Sequence, residues 1–373
     1  MPRLLCEVCP VMSFLCLYDK NFNALGSWNQ HRVKSYRLKR KSQELDEFEA
    51  VCQEWEDSKN ACFVGLHEDG GTLSYLCFSG IPYTKDHLTT VNGTDCLALF
   101  DQEIVIDYSQ RTASGSYSIN SCASLFQFLL KGIFSTNQRN IPIGFDYEVN
   151  VDDVIDAYVT WDGICVYDEP MKLNVLGEIK RLCRFYGLFV LPEVSVDRTT
   201  NKYVLTFRVR RIHNQRAIRL ADYKVTMTRD SNSINMAIAT CGSSSARYYL
   251  HNDDTVDTTY SASTQLFPLK CREYVEEVGD DATASFDKAK TNAKSALLKA
   301  RFRDRCRIDL RNQINAKSIS DMDFTFIGLL TGYNPADPST VKALPVAEIE
   351  YDQTGKKAIV FGFLPEYWFL DEE

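Results

Sequence analysis

The apolar positions of this chain fall in short runs separated by polar turns, a pattern of strands with a few inserted helices. Met12 to Tyr18 reads as an opening strand, closed by the turn Asp19-Lys20-Asn21-Phe22-Asn23 that ends near Gly26. Leu45, Phe48, Cys52 and Trp55 then recur at steps of three and four behind Ser42, a residue suited to an N-cap. That spacing predicts an acidic amphipathic helix over about 43–57. Ala61 to Leu66 and Thr72 to Ile81, joined by His67-Glu68-Asp69-Gly70-Gly71, predict a β-hairpin. Strands also fit Leu88 to Asn92 and Glu103 to Tyr108, and the Ser, Thr and Gly-rich stretch Ser109 to Ser118 is a candidate domain boundary.

Leu125, Phe126, Leu129, Leu130 and Ile133 predict a helix at about 121–133. A second helix is expected from Asn174 to Tyr186, with Leu176, Ile179, Cys183 and Tyr186 buried and Gly187 at the left-handed cap. Strands at Leu188 to Val196 and Tyr203 to Ile212 complete an α+β unit with that helix. Lys224 to Thr228 reads as a strand, Ser243 to Ser245 as a loop, and the Ala-rich Ala284 to Arg303 as a helix through Phe286, Ala289, Ala293, Ala296 or Leu297, and Ala300. Cys306, Ile308, Leu310 and Ile314 alternate with charged residues in a half-buried strand. A long irregular loop is expected at Asn334 to Leu344, and a terminal hairpin of Ala347 to Tyr351 and Lys357 to Phe363 turns at Asp352-Gln353-Thr354-Gly355.

Composition narrows the class. The 373 residues are 45% hydrophobic, 25% charged and 12% aromatic, which excludes wholesale disorder and suits two or three domains. A formal charge of −8 excludes a polycationic nucleic-acid coat. The 13 cysteines are scattered from Cys6 to Cys306, and only Cys6 and Cys9 have C-x-x-C spacing, too few for a structural zinc site. Reduced thiols in a cytoplasm are the expectation. No apolar run reaches the ~18–20 residues of a membrane span.

Candidate chemistry is sparse. Asp19, Asn21 and Asn23 have the donor spacing that opens a calcium loop, but Ala24 and Gln30 stand where a Gly and a bidentate Glu are needed, so an Asx-rich turn is expected. Asp152, Asp153 and Asp156 could gather a divalent cation or act as paired carboxylates, against a solvated turn with one of them capping a helix. Arg32, Lys34, Arg37, Lys39, Arg40 and Lys41 are followed by seven acidic residues from Glu44 to Asp57, so a strand-to-helix charge complement competes with nucleic-acid contact. The Arg-rich segments Arg208 to Arg219 and Arg301 to Arg311 read as exposed strand faces or acidic-partner contacts. His31, His67, His87, His213 and His251 show no recognisable spacing, and no nucleophile elbow, P-loop, zincin or dinucleotide motif occurs. No catalytic, cofactor-binding or metal-ligating residue is assigned.

Taken in order, these segments resemble the tail hub proteins of bacteriophages, the structural module of tail-associated lysins and endopeptidases of long-tailed phages. The resemblance is carried by Leu17 to Gly26 (LYDKNFNALG), Ser35 to Ala50 (SYRLKRKSQELDEFEA), Gly80-Ile81-Pro82 with Thr90 to Asp95 and the run to Tyr108, Asn174 to Ile212, the strand 224–239 with Asn235 (KVTMTRDSNSINMAIA), and Phe326-Ile327-Gly328 before the terminal hairpin. It spans about 12–363. It implies a β-rich α+β, multidomain fold: a first barrel-like tube domain at 1–109, an outer α+β domain at 110–213 continued by 241–318, a second tube domain from 214–240 with 319–365, and a tail at 366–373. It further implies a homotrimeric ring at the virion tail tip, assembled in the host cytoplasm. The implied partners are the distal tail protein, tail tube, tape-measure and fibre or receptor-binding proteins, with phage DNA passing through the lumen and no cofactor. Nothing after Phe363 is long enough for a peptidase or lysozyme domain, so no hydrolytic activity is expected of this chain. The alternatives are a tail-associated peptidoglycan hydrolase or endopeptidase, and a bacterial surface adhesion protein.

Overall fold

The computed structural model describes residues 14–20, 22–25, 33–42, 44–54, 59–68, 72–106, 124, 126–130, 146–151, 170–197, 202–212, 214–229, 234–251, 255–264, 269–300, 304–310, 323–332 and 341–362. The fold is α+β and dominated by strands. The chain divides into two compact units, 1–212 with 348–358 and 367–373, and 213–347 with 359–366.

The first unit begins with β1 (Phe14–Tyr18), β2 (Val33–Lys41), β3 (Glu47–Gln53), β4 (Phe63–Glu68), β5 (Thr72–Ser79), β6 (Tyr83–Lys85) and β7 (Leu88–Asp95). Five of these strands line up with β2 in the order β1-β4-β5-β7-β3-β2, while β6 pairs the start of β7. The helix expected at 43–57 is instead the strand β3. Glu47, Glu49 and Gln53 face outward while Phe48, Ala50 and Cys52 are buried, a period of two. Those three side chains join Leu15, Leu17, Tyr36, Leu38, Val64, Leu66, Tyr75, Cys77 and Val91 in one core.

A second core of this unit is built around the helix α1 (Val175–Tyr186). Asn174 caps it by accepting the Gly177 N–H at 2.9 Å, and Gly187 ends it in the left-handed region at φ 63°, as the spacing predicted. Leu176, Ile179 and Cys183 are buried against β11 (Leu188–Asp197) and β12 (Lys202–Arg211), and residues 126–130 supply Phe126, Leu129 and Leu130 to the same core. The strands β8 (Glu103–Ile106) and β10 (Met171–Asn174) pair antiparallel, and β9 (Asp146–Val151) runs parallel to β12. Tyr18, Phe63, Leu76, Leu97 and Phe100 belong to this core too, so 1–109 and the α+β segment share one apolar interior.

The second unit contains β13 (Asn214–Arg219), β14 (Lys224–Arg229), β15 (Met236–Cys241), β16 (Ser244–Leu250), β17 (Val256–Asp257), β18 (Cys271–Glu276), α2 (Ala282–Ala300), β19 (Asp304–Asp309) and β20 (Phe326–Thr331). The last hairpin, β21 (Val341–Asp352) and β22 (Gly355–Phe361), is divided between the units. A four-stranded sheet β17-β16-β15-β18 carries α2 on one face, with Ala289, Ala293, Leu297 and Ala300 against Ala237, Ala239, Tyr248 and Leu250. The small helix residues permit close approach, which is why so alanine-rich a helix packs here. The segment 224–239 is two strands rather than one. Asn235 lies at the entry to β15, where its Oδ1 accepts the Lys270 N–H at 2.8 Å and its own N–H donates to the Lys270 carbonyl. Ser244 and Ser245 lie in β16 rather than a loop, because Gly242, at φ 57°, turns the chain in two residues. Of the loop expected at Asn334 to Leu344, residues 334–340 lie outside the described residues and 341–344 are instead in β21, where they pair with β20. The expected Ile314, Arg301 and Arg303 positions lie outside the described residues, as do Ser109 to Ser118.

Two glycines read the packing differently. A Cβ on Gly93 of β7 would lie 2.8 Å from the Phe78 carbonyl oxygen, a backbone atom held in the sheet, whereas one on Gly177 of α1 would meet nothing closer than 3.6 Å. Gly93→Ala is expected to lower stability by about 1–3 kcal/mol through overpacking, and Gly177→Ala to leave it unchanged or raise it by up to ~1 kcal/mol. Urea denaturation of both variants checks this; equal effects would contradict the packing at β7.

Candidate functional site

Of the basic run, Lys34, Arg37, Lys39, Arg40 and Lys41 lie on β2, between acidic residues on both sides, and Arg32 lies outside the described residues. Residues 348–352 of β21 pair with Arg37–Lys41 of β2, and β3 pairs along its other edge. Lys39 Nζ lies 3.8 Å from Glu348, 3.9 Å from Glu47 and 4.0 Å from Glu350. Arg37 is 3.8 Å from Glu350, whose side chain is only 4% exposed, and Lys41 is 2.7 Å from Glu47 and 3.2 Å from Glu44. The charge complement expected between a strand and a helix is therefore made between strands, with half of it supplied from 300 residues downstream by β21. Carboxylates occupy the positions that phosphates would need. The Lys41 hydrogen bond holds the Glu47 carboxyl below its ordinary range, while burial pushes Glu348 up.

Beneath this strip, the inward side of the same strands encloses a buried polar cluster. Asp46 Oδ1 accepts the Lys41 N–H at 2.7 Å, its Oδ2 accepts Tyr75 O–H at 3.2 Å, and Arg40 Nε is 3.5 Å away. Asp46 N–H donates to Asp95 Oδ2 at 2.8 Å, and Asp95 Oδ1 accepts the Leu97 N–H at 2.7 Å. Burial, and then the charge of Asp46, pushes the Asp95 carboxyl up to about 7. Asp46 is raised mainly by burial, opposed by Arg40, and burial likewise raises Tyr75, Cys77 and Cys96. Two carboxyls so close and so dry do not both ionise easily. The cluster ties β2, the β2–β3 loop, β5 and β7 together through backbone amides, and sequence spacing gave no sign of it because Asp46 and Asp95 are 49 positions apart.

The remaining candidates separate. Asp19 folds back on its own turn, accepting Asn23 N–H at 2.8 Å and Asn23 Nδ2 at 3.1 Å, as an Asx turn; Asn21 and Gln30 lie outside the described residues. Asp152, Asp153, Asp156, His31 and His213 also lie outside them. Among the described residues no group of three or more His, Cys, Asp or Glu side chains could hold a metal ion, and no helix is long and apolar enough to cross a membrane. The nine described cysteines are free thiols. His67 meets Tyr18 Oη at 3.0 Å inside the first unit, and exposed His87 pairs with Glu54 at 2.8 Å.

His251 has the richest surroundings: Nε2 faces Asp257 Oδ1 at 3.2 Å and Nδ1 faces Thr264 Oγ1 at 2.8 Å. Asp, His and hydroxyl in that order have the connectivity of a hydrolytic triad. Three nearby amides are engaged locally, however. Thr264 N–H donates to Ser261 O at 3.3 Å, Thr259 N–H to Asp257 Oδ1 at 2.6 Å and His251 N–H to Thr255 O at 2.9 Å. The amide of the would-be nucleophile is thus already bonded to a carbonyl, and the three side chains tie His251 to Asp257 and Thr264.

The Asp95 shift sets a sign for acid stability. A carboxyl whose folded value is about 7 against an ordinary 3.8 keeps a proton that the unfolded chain has released. That contribution is complete below pH ~4 and is lost as pH rises through about 7. Melting temperature is expected to fall between about pH 4 and 7, and Asp95→Asn to flatten that slope. Calorimetry across this window checks it, and an unchanged slope in the variant would contradict the assignment.

No family model and no curated protein sequence matches this chain. Solved structures do. A chain of the p2 virion baseplate in its activated conformation superposes with a TM-score of 0.50 at 9% identity, covering 95% of this chain and 98% of that one. The 43 kDa tail protein of prophage MuSo2 from Shewanella oneidensis is similar at TM-score 0.48 and 11% identity, covering 96% and 98%. The prophage tail protein gp18 from Listeria monocytogenes EGD-e reaches 0.46 at 12%, covering 94% of each. Over nearly its whole length, the chain shares its fold with a phage baseplate protein.

Proposed function

We propose that this chain is a structural hub protein of a bacteriophage tail tip, forming a homotrimeric ring that continues the tail tube and connects it to the distal tip for host attachment and genome delivery. The observation that carries the reading is the fold shared from end to end with a p2 baseplate chain, 95% of one and 98% of the other. In this reading 1–109, and 214–240 with 319–365, are the two tube domains, and 110–213 continued by 241–318 lies outside them. Three copies then present six similar domains to a sixfold tube. Its partners are the distal tail, tail-tube and tape-measure proteins and the fibres, with DNA passing through the lumen without base-specific contact. The chemistry fits a scaffold: Arg37, Lys39, Arg40 and Lys41 of β2 meet carboxylates within the chain, and the buried carboxyls serve backbone amides.

The tail-associated hydrolase reading has one observation in its favour, the His251–Asp257–Thr264 connectivity. Zymography on Gram-positive cell walls separates the two. No lytic band is expected; a band lost in His251→Ala would establish the enzyme.

The ring is tested by light scattering on the purified chain. A mass of about 128 kDa is expected from three copies of 42.5 kDa. A closed twofold dimer, free and in assembled particles, would sink the reading.

A further inference from the structure

Two strands of the second unit end their sheets with no further partner strand among the described residues, and they are opposite in chemistry. The strand β18 closes the order β17-β16-β15-β18, and β14 pairs only with β19. Both are six residues long. Around β18 the sequence Glu273-Tyr274-Val275-Glu276-Glu277-Val278-Gly279-Asp280-Asp281 is acidic, and its two valines are 67% and 58% exposed. Part of that acidity is used internally: Glu276 receives Lys288 and Asn292, and Asp281 caps α2. Glu277 and Asp280 are exposed, and so is Glu273, which accepts Thr240 Oγ1.

The edge at β14 is complementary. Its outward side carries Lys224, Thr226 and Thr228, opposite Asp309, Arg307 and Arg305 of β19, and Asp309 pairs with Arg307 at 2.9 Å. The Lys224 side chain is 77% exposed although it reaches Asp309 at 4.0 Å. Met227, on the other side of the strand, is 39% exposed. Open edges with exposed apolar residues are templates for pairing with another chain, and charge decides which chain.

We propose that the acidic β18 edge of one copy takes the basic β14 edge of a neighbouring copy as an added strand, with Cys271, Glu273 and Val275 on the same side of the joined sheet as Thr226 and Thr228. The contact is heterologous, one surface meeting a different one, which is the type that closes a ring rather than a twofold dimer. It rests on the ring reading above and names the surface through which that ring closes.

Charge exchange tests it on the full chain. Thr226→Glu with Thr228→Glu sets carboxylates against the acidic edge, and Glu273→Lys with Glu277→Lys sets cations against the basic one. Each pair is expected to weaken the trimer at least about tenfold by sedimentation equilibrium, and all four together to recover most of the loss. Unchanged assembly in both pairs, or no recovery in the combined variant, would overturn the proposal. A second arm is independent of charge. Thr226→Cys is expected to cross-link to the native exposed Cys271 of a neighbour with a short bismaleimide, giving bands at multiples of 42.5 kDa that vanish in Cys271→Ser. A trimer without that cross-link overturns the proposed surface while leaving the ring. A monomer without it overturns the surface, and a closed dimer, free and in assembled particles, overturns both.

Discussion

The arrangement on which the first unit depends is the double pairing of β2. One edge takes β3, its immediate successor, and the other takes residues 348–352, which the chain delivers only after some 300 further positions. Alternation along β2 then does two jobs. Tyr36 and Leu38 enter the core, while Arg37, Lys39 and Lys41 meet Glu47, Glu348 and Glu350 from both flanks. Removing the downstream acids would leave cations crowded on one face with partners on one side only. Pairing across such a separation carries a large loop-closure cost, so hydrogen bonding, burial and charge must all favour the same register.

The charged residues most conspicuous in the sequence therefore hold the fold together. The same applies to Asp46 and Asp95, whose carboxylates receive backbone N–H groups at the turns between strands. Such groups shift their titration for structural reasons, and a perturbed carboxyl is weak evidence of catalysis unless it opens on a substrate site. The triad-like order around His251 joins residues whose amides, at His251, Thr259 and Thr264, bond within the same segment.

Much of the fold was legible where local rules decide it. Asn174 and Gly187 mark the ends of α1, the apolar spacing marks α2, and Gly355 marks the last turn. The segment 43–57 misled because two periods coexist in it. Leu45, Phe48, Cys52 and Trp55 fit a helix, while Phe48, Ala50 and Cys52 fit a strand, and only the acceptors waiting on β2 and β7 choose between them. That choice is tertiary and cannot be read from a window of fifteen residues. The buried Asp46–Asp95 contact and the His251 clasp were illegible for a related reason: each is made of polar residues that look like ordinary turn chemistry until their distant partners are known.

In the proposed reading this chain acts through the surfaces it presents to copies of itself and to the tail. Cryo-electron microscopy of tails containing it tests that most directly. Three copies are expected around the axis at the tube's distal end, their tube domains continuing its wall. Density for the chain as a single copy off the axis, or its absence from the tail, would contradict it.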